Sequence, residues 1–494
     1  MTNCLEECIT NHDSCRANVN VELPTRVVNV GDSSVTKSRL YEPPSGAKDQ
    51  YLALSYCWGK GATILTTSTT LESHIEGLDP ERIPRTIADA ITVTRRLGFR
   101  YLWVDALCIL QGDGKAERAD WEKESARMDQ YYGNSHLLLS AMDGYHCDDG
   151  MLHARTATVY YNPGDADHSE KRLNVSSLTF WPWEERYSDR PPITSRGWTL
   201  QEHLLPPRMI AFTRTSTIWE CNEVKANDHY SRDPQPQEKC RESYWNSLQH
   251  DDPQLPLIWN DIVIEFCRRG LTNPHDKLSA ISGLAGRYQK VCGAKYFAGS
   301  WDKTLITDLL WARKYEGSST PMHTYEHYFP AGFYRAPTWP WASMEGHIKY
   351  PEDLLEQDHK ASILSCSVDL ANPEDSFGRI FGGNIVVRGH VVSIRLNYDQ
   401  DSRAYRLYLS LHYDTMSAFA FATLDWDIKF EDWYGSDENR DKHRLCILLV
   451  QYYGLVIEPV EGGKTNVYRR VGRFELSEED VWYRHARIET VTIV

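Results

Sequence analysis

The sequence lacks most of the motifs that assign a chain quickly. It has no Gly-x-Gly-x-x-Gly, Gly-x-Ser-x-Gly, His-Glu-x-x-His or phosphate-loop pattern. These absences remove the standard dinucleotide grip and the commonest hydrolase, zinc-protease and nucleotide-triphosphatase readings. Basic charge is also short, with 54 Lys plus Arg against 69 Asp plus Glu and a net charge of −15. That balance argues against nucleic acid or an anionic membrane as a partner, since both need a basic face. The longest apolar stretch, around Leu445 to Ile457, is interrupted by Gln451, Tyr452, Tyr453 and Gly454. It is too short and too polar to span a bilayer. The 12 cysteines run from Cys4 to Cys446 without the dense spacing of a secreted disulfide scaffold. The opening MTNCLEECITNHDSC has neither a basic region nor an apolar core, so no signal peptide is expected. A cytoplasmic, reducing setting with free thiols follows, in which the sequon Asn174-Val175-Ser176 has no consequence.

What is present is a chain of 494 residues, 41% hydrophobic and 25% charged, the profile of a soluble globular protein. Its length implies two or more folding units, because single cores stop growing at about 250–300 residues. Tryptophan is unusually frequent, at 16 residues. Large aromatics fill cores and line small-molecule pockets.

Four segments are expected: an N-terminal Cys/His-containing segment (1–48), an α/β domain (49–225), a mainly helical region (226–370) and a β-rich unit (371–494). Leu23 to Val30 reads as a short strand. The apolar run Tyr51-Leu-Ala-Leu-Ser-Tyr56, closed by Gly59 and Gly61, reads as a buried strand. Pro84 opens a helix with Ile87, Ala90, Ile91, Thr94 and Leu97 on one face and Gly98 as its stop. Arg100 to Asp105 and Leu137 to Ala141 are two more buried strands, separated by a helix that Asp120 caps and Gly133-Asn134 ends. Alternating strands and helices at this spacing specify a parallel, Rossmann-like sheet with right-handed crossovers. Residues 155–190, with the acidic and histidine-bearing run Asp165 to His168, are polar and turn-rich. A helix around Leu200 to Leu205 and strands at Arg208 to Thr213 and Thr217 to Cys221 follow.

Ligands of open parallel sheets bind beyond the carboxyl ends of the strands. Those ends carry Ser55-Tyr56-Cys57-Trp58-Gly59, then Asp105 to Gln111, then Ser140. Cys57 and Cys108 read either as buried core thiols or as nucleophiles. Asp105, a carboxylate ending an apolar strand, needs a partner, and serves either as an acid–base group or as a cap on a neighbouring loop. Glu124 lies one helical turn beyond Trp121, on the same side, and reads either as helix-start chemistry or as a carboxylate set to stabilise a cation. Arg196, Gln201 and Glu202, near Trp198, either hold a phosphate or carboxylate or dock their own segment on the sheet. Cys4, Cys8, His12 and Cys15 fall along one helical stripe. Their number suits structural zinc, but a straight helix would put Cys4 and Cys15 about 16 Å apart. The chain would have to bend, or a residue such as Cys57 would have to join. A packed cysteine-bearing face is therefore the preferred reading, and no metal site is expected.

The blocks Tyr51-Leu-Ala-Leu-Ser-Tyr-Cys-Trp-Gly59, Pro84-Arg-Thr-Ile-Ala-Asp-Ala-Ile91, Leu97-Gly-Phe-Arg-Tyr-Leu-Trp-Val-Asp-Ala-Leu-Cys-Ile109 and Asp120-Trp121 to Tyr132 resemble those of the fungal heterokaryon incompatibility (HET) domain. So do Arg196-Gly-Trp-Thr-Leu-Gln-Glu202, Arg208 and Trp219-Glu-Cys221. Further on, Leu271-Thr272, Asp276-Lys-Leu278, Ala336-Pro-Thr-Trp-Pro-Trp-Ala-Ser343 and Gly454-Leu455 are similar to the fungal pattern. The resemblance implies non-self recognition and programmed cell death, and a TIR-like sheet. Some TIR domains cleave the nicotinamide–ribose bond of NAD with one glutamate, a role that would fall here on Glu124. The TIR pattern commonly spaces Trp and Glu by four; here Glu124 follows Trp121 by three, and Ser125 holds the fourth place. On this reading NAD is the substrate, Trp58 or Trp121 stacks on a ring, Arg196 takes the pyrophosphate, and Ser55 and Gly59 complete the binding rim. Two other readings stand beside it. One is a tailoring enzyme of fungal secondary metabolism acting through Cys57, Cys108 or Asp105 on a small molecule. The other is a non-catalytic module that signals by self-association or by binding an incompatibility partner.

Overall fold

The computed structural model describes residues 2–15, 21–31, 37–59, 64–153, 190–214, 216–227, 244, 254–314, 334–354, 357–398, 407–410, 420–425, 444–460, 462, 465–476 and 479–494. The run Asp165 to His168 and the sequon at Asn174 lie outside these residues. The chain divides into two compact units, Met1–Gln235 and Pro236–Val494.

In the first unit, α1 (Thr2–Asn11) is followed by a single 3-10 turn at Asp13–Cys15. Then come β1 (Val27–Asn29), β2 (Arg39–Tyr41), β3 (Tyr51–Ser55), α2 (Leu71–Glu76), α3 (Arg85–Arg96) and β4 (Tyr101–Trp103). The unit continues through α4 (Asp105–Cys108), α5 (Lys115–Ser125), α6 (Met128–Gly133), β5 (Leu137–Ala141), α7 (Thr199–Leu204), β6 (Arg208–Phe212), β7 (Thr217–Cys221) and β8 (Lys225–Asn227). The strands form one eight-stranded sheet in the order β2-β1-β4-β3-β5-β6-β7-β8. Its centre, β4-β3-β5-β6, is parallel, and every other neighbouring pair is antiparallel. The expected parallel sheet is thus the core of a wider mixed one. Each of β3, β4 and β5 is buried along its whole length, as strands covered on both faces must be. Helix α3 buries Ile87, Ala90, Ile91 and Thr94 at helical spacing, and Gly98 ends it at φ +83°.

Local departures from the expected elements have clear causes. The strand expected through Asp105 stops at Trp103, because the Val104 carbonyl takes the N–H groups of Leu107 and Cys108 and starts α4. Asp120 does not cap a helix: it lies inside α5, where its carboxylate pairs with Arg26 and accepts the Leu110 N–H at 2.8 Å. The single helix expected through Tyr131 is two, α5 and α6, broken at Ala126-Arg127.

In the second unit, α8 (Leu255–Cys267) and α9 (Ser282–Cys292) precede two-residue strands β9 (Tyr296–Phe297) and β10 (Ser300–Trp301), then α10 (Leu305–Asp308), β11 (Ala312–Arg313) and β12 (Ile348–Lys349). A large antiparallel array follows: β13 (Ser362–Leu370), β14 (Ile380–Tyr398), β15 (Leu407–Ser410), β16 (Ala420–Leu424), β17 (Arg444–Leu448), β18 (Tyr453–Pro459) and β19 (Val467–Leu476). Helix α11 (Glu479–His485) and β20 (Arg487–Ile493) end the unit. The β-rich texture expected after 370 therefore begins earlier, at Ser362. Strand β14 pairs with β15 and also with β17, so the ring β14-β15-β16-β19-β18-β17 closes on itself. Closure removes open sheet edges, which otherwise template aggregation. Val392, Leu424, Cys446, Val456, Phe474 and Trp482 share its core.

Among the described residues the tryptophans are chiefly core: Trp103, Trp219, Trp259, Trp301, Trp311, Trp339, Trp341 and Trp482 are each less than 2% exposed. No described helix is long and apolar enough to cross a membrane.

Candidate active site at the carboxyl end of the parallel strands

The parallel register sets Ser55, the last residue of β3, beside Ser140 of β5. Helix α7 covers them, and all six of its residues are buried. Such a helix can carry Gln201, Glu202 and His203 only if each polar group finds a partner. Ser55 Oγ donates to Glu202 Oε2 at 2.6 Å, and His203 Nε2 lies 3.0 Å from Ser140 Oγ and 3.3 Å from Ser55 Oγ. Tyr132 also hydrogen-bonds Glu202.

A second carboxylate stands close by. Asp105, half-buried at the start of α4, accepts the Trp58 indole N–H at 3.0 and 3.1 Å and the Ala106 N–H at 2.7 Å. The Arg196 guanidinium, tethered to the Tyr56 carbonyl at 2.7 Å, acts electrostatically on both acids. Burial pushes the Glu202 carboxyl up to about 7; Arg196 works against that rise and Asp105 adds to it. Burial also raises Asp105, again opposed by Arg196 and by the two N–H donors. Glu202, held near neutrality, is thereby set to give and take protons.

Ser55, Trp58, Asp105 and Arg196 are therefore brought together, with Cys57 at the edge beside Arg196. Gly59 adopts φ +73°, and a Cβ there would meet His146 Nδ1 at 2.0 Å, so only glycine fits this turn. Trp121 packs edge-on against Trp198, with ring centroids 6.5 Å apart. Glu124 is buried on α5, where it accepts the Tyr131 hydroxyl at 2.5 Å and lies 3.4 Å from Lys123 Nζ. Its partners are not those of the Ser55–Arg196–Glu202 group.

Neither thiol is activated. Burial raises Cys57 and pushes Cys108 up to about 12, the reverse of what a thiolate nucleophile needs. Cys108 Sγ accepts the Val104 N–H at 3.4 Å, and its carbonyl accepts Arg26 Nε at 2.9 Å. Iodoacetamide at neutral pH is expected to leave both cysteines unmodified in the folded chain while half-buried Cys4 reacts, read by peptide mass spectrometry. Selective labelling of Cys57 or Cys108 would return a nucleophilic role to that residue.

The residue that sequence reasoning under-used is Glu202, read there as one of a cluster that either holds an anion or docks its own segment. Its signal was a Gln-Glu-His run flanked by Leu200 and Leu204, which marks a buried polar network. Elsewhere in this unit, Cys8, His12, Cys15 and Cys221 form a group of potential metal ligands.

A mixed α/β sheet with a cluster of charged residues beyond the ends of its parallel strands defines the class: an α/β domain with a rim site. The family model described as Heterokaryon incompatibility protein (HET) matches residues 51–202, from the first residue of β3 to Glu202 itself. Residues 51–202 are thus similar to the HET domain, and that similarity supports a role related to heterokaryon incompatibility. No curated protein and no solved structure matches the chain.

Proposed function

We propose that the HET domain is an enzyme that cleaves the nicotinamide–ribose bond of NAD, with Glu202 as the carboxylate that meets the ribose, and that this reaction serves non-self recognition. The observation that carries the reading is Glu202 itself, a buried carboxyl poised near neutrality and oriented by Ser55. As the bond breaks, its electron pair moves to the nicotinamide nitrogen and cancels the ring's charge. An oxocarbenium-like ribosyl cation remains, which an adjacent carboxylate stabilises as in glycoside cleavage. Water then adds to the anomeric carbon and loses a proton, which Glu202 is set to accept. Arg196 supplies a fixed cation for the pyrophosphate, and Trp58, held by Asp105, an aromatic face for a base. Glu124, engaged by Tyr131, is assigned a supporting place in α5.

The test is nicotinamide release from NAD by the purified full chain. Glu202→Gln is expected to lower turnover by at least about 100-fold, the usual scale for a positioned acid–base group, while Glu124→Gln stays within a few-fold. Unchanged turnover in Glu202→Gln, or its loss only in Glu124→Gln, overturns the assignment. If the natural chain releases no nicotinamide but forms concentration-dependent oligomers in light scattering, the non-catalytic signalling reading replaces this one.

A further inference from the structure

Segment 2–15 is tied to β7 of the sheet by a group of side chains that the rim chemistry does not use. Helix α1 ends at Asn11 and the chain turns at once through Asp13–Cys15. Cys8 and His12 stay one helical turn apart, and the turn swings Cys15 back beside them. The fourth member, Cys221, ends β7. One ligand atom from each of the four lies within 4.8 Å of all the others, and Cys221 Sγ is 3.4 Å from His12 Nδ1. This is the bend that a straight helix could not supply, with Cys221 in place of Cys4 or Cys57. We propose that Cys8, His12, Cys15 and Cys221 bind one structural zinc ion.

Tetrahedral zinc, with Zn–S near 2.3 Å and Zn–N near 2.0 Å, sets its ligand atoms roughly 3.4–3.8 Å apart, so the group closes on the ion with only a small contraction. All three thiols are free rather than disulfide-bonded. Three thiolates and an imidazole fill the coordination sphere and leave no open position, which marks a structural rather than a catalytic site.

The surroundings are those of thiolates, not of packed apolar thiols. Arg208, 2% exposed, donates through Nε to Cys8 Sγ at 3.2 Å. The Val224 N–H donates to Cys221 Sγ at 3.3 Å, and the Asn222 N–H faces Cys15 Sγ. Such N–H donors orient metal-bound sulfur and offset its charge. Zinc with three thiolates carries one net negative charge, and Arg208 supplies the balancing cation. Among the described residues Arg208 forms no carboxylate ion pair; its other donors go to the His136 and Cys15 carbonyls. The turn after β7 grips the same segment through Asn222 Nδ2 to the Ser14 carbonyl, at 2.8 Å, and Glu223 to the Ser14 N–H, at 3.0 Å. The site would close a loop of about 200 residues around the HET sheet, the kind of closure in which a metal contributes most to folding.

The experiment is elemental analysis of the full chain purified without chelator from zinc-supplemented culture. About one zinc per chain is expected, retained by Cys4→Ser and lost by Cys8→Ser and Cys221→Ser. Should those two variants fail to fold, the natural chain still decides: a mercurial reagent should release the zinc as thiols are titrated, and Cys8, Cys15 and Cys221 should resist alkylation until the metal is removed. Cobalt replacement should add visible bands and sulfur-to-metal charge transfer. Zinc well below stoichiometry with freely alkylated thiols overturns the proposal. So does a disulfide between any two of the three cysteines, or undiminished zinc in both Cys8→Ser and Cys221→Ser.

Discussion

Glu202→Gln is expected to make the first unit more stable than the natural chain at pH 8 and nearly equal to it at pH 5. Burial holds the Glu202 carboxyl near 7 against an ordinary value of 4.5. Between those two values the folded state keeps a proton that the unfolded state releases. Stability from this group is therefore complete below the unfolded value and falls as pH rises through the window. At about 1.4 kcal/mol per pH unit, the loss between pH 4.5 and 7 amounts to about 3 kcal/mol. Asp105 is raised as well and adds a fall of the same sign. Glutamine keeps an acceptor for Ser55 Oγ and carries no charge to desolvate, so the variant should lose the Glu202 part of the slope and keep the rest. Hydrogen-exchange protection of the Leu138–Ala141 amides at several pH values isolates this unit from the other. Parallel pH profiles for the two proteins would show that Glu202 is ionised at an ordinary value and that the rim is not poised as described. A gain in stability paired with lost turnover is the usual mark of a site held under electrostatic strain for its chemistry.

The centre of the sheet was legible because its strands are runs of consecutive apolar residues, and such runs announce strands buried on both faces. Ser55, Trp58 and Asp105 were legible for a related reason. Once β3, β4 and β5 are placed in parallel, their carboxyl ends must share one rim. What lay beyond reach depended on long-range partners. Glu202 looks like one charge in a short helix until Ser55, 147 residues earlier, is seen to hold it. His12 and Cys221 meet across 209 residues, and no local spacing predicts that encounter. The break at Ala126-Arg127 and the 3-10 turn at Asp13–Cys15 carry no Pro or Gly to mark them. In the second unit, alternation announced strands, but the β14–β17 pairing that closes the ring is a matter of register between distant segments.

Asp425→Ala should be the most damaging single change in the second unit, costing about 3–5 kcal/mol, because it strands a buried guanidinium. Arg470 is fully buried and Asp425 nearly so. Arg470 Nε and Nη2 meet the two Asp425 oxygens at 2.8 and 3.2 Å, a bidentate pair. The remaining donors reach the Leu309 and Trp311 carbonyls, and the guanidinium carbon sits 3.4 Å from the Trp311 ring centroid. This one side chain thus binds β19, the residue that follows β16 and the segment after α10 together. Burial pushes the Asp425 carboxyl up while Arg470 opposes it, so mutual contact offsets the desolvation cost of the pair. The double variant Asp425→Leu/Arg470→Met should accordingly recover much of the loss, since apolar groups of similar size need no partner there. Urea unfolding of the natural chain, both single variants and the double variant forms the cycle that measures the coupling. Additive losses, with the double variant no better than the worse single one, would show that packing around Trp311 rather than the ion pair holds these elements together.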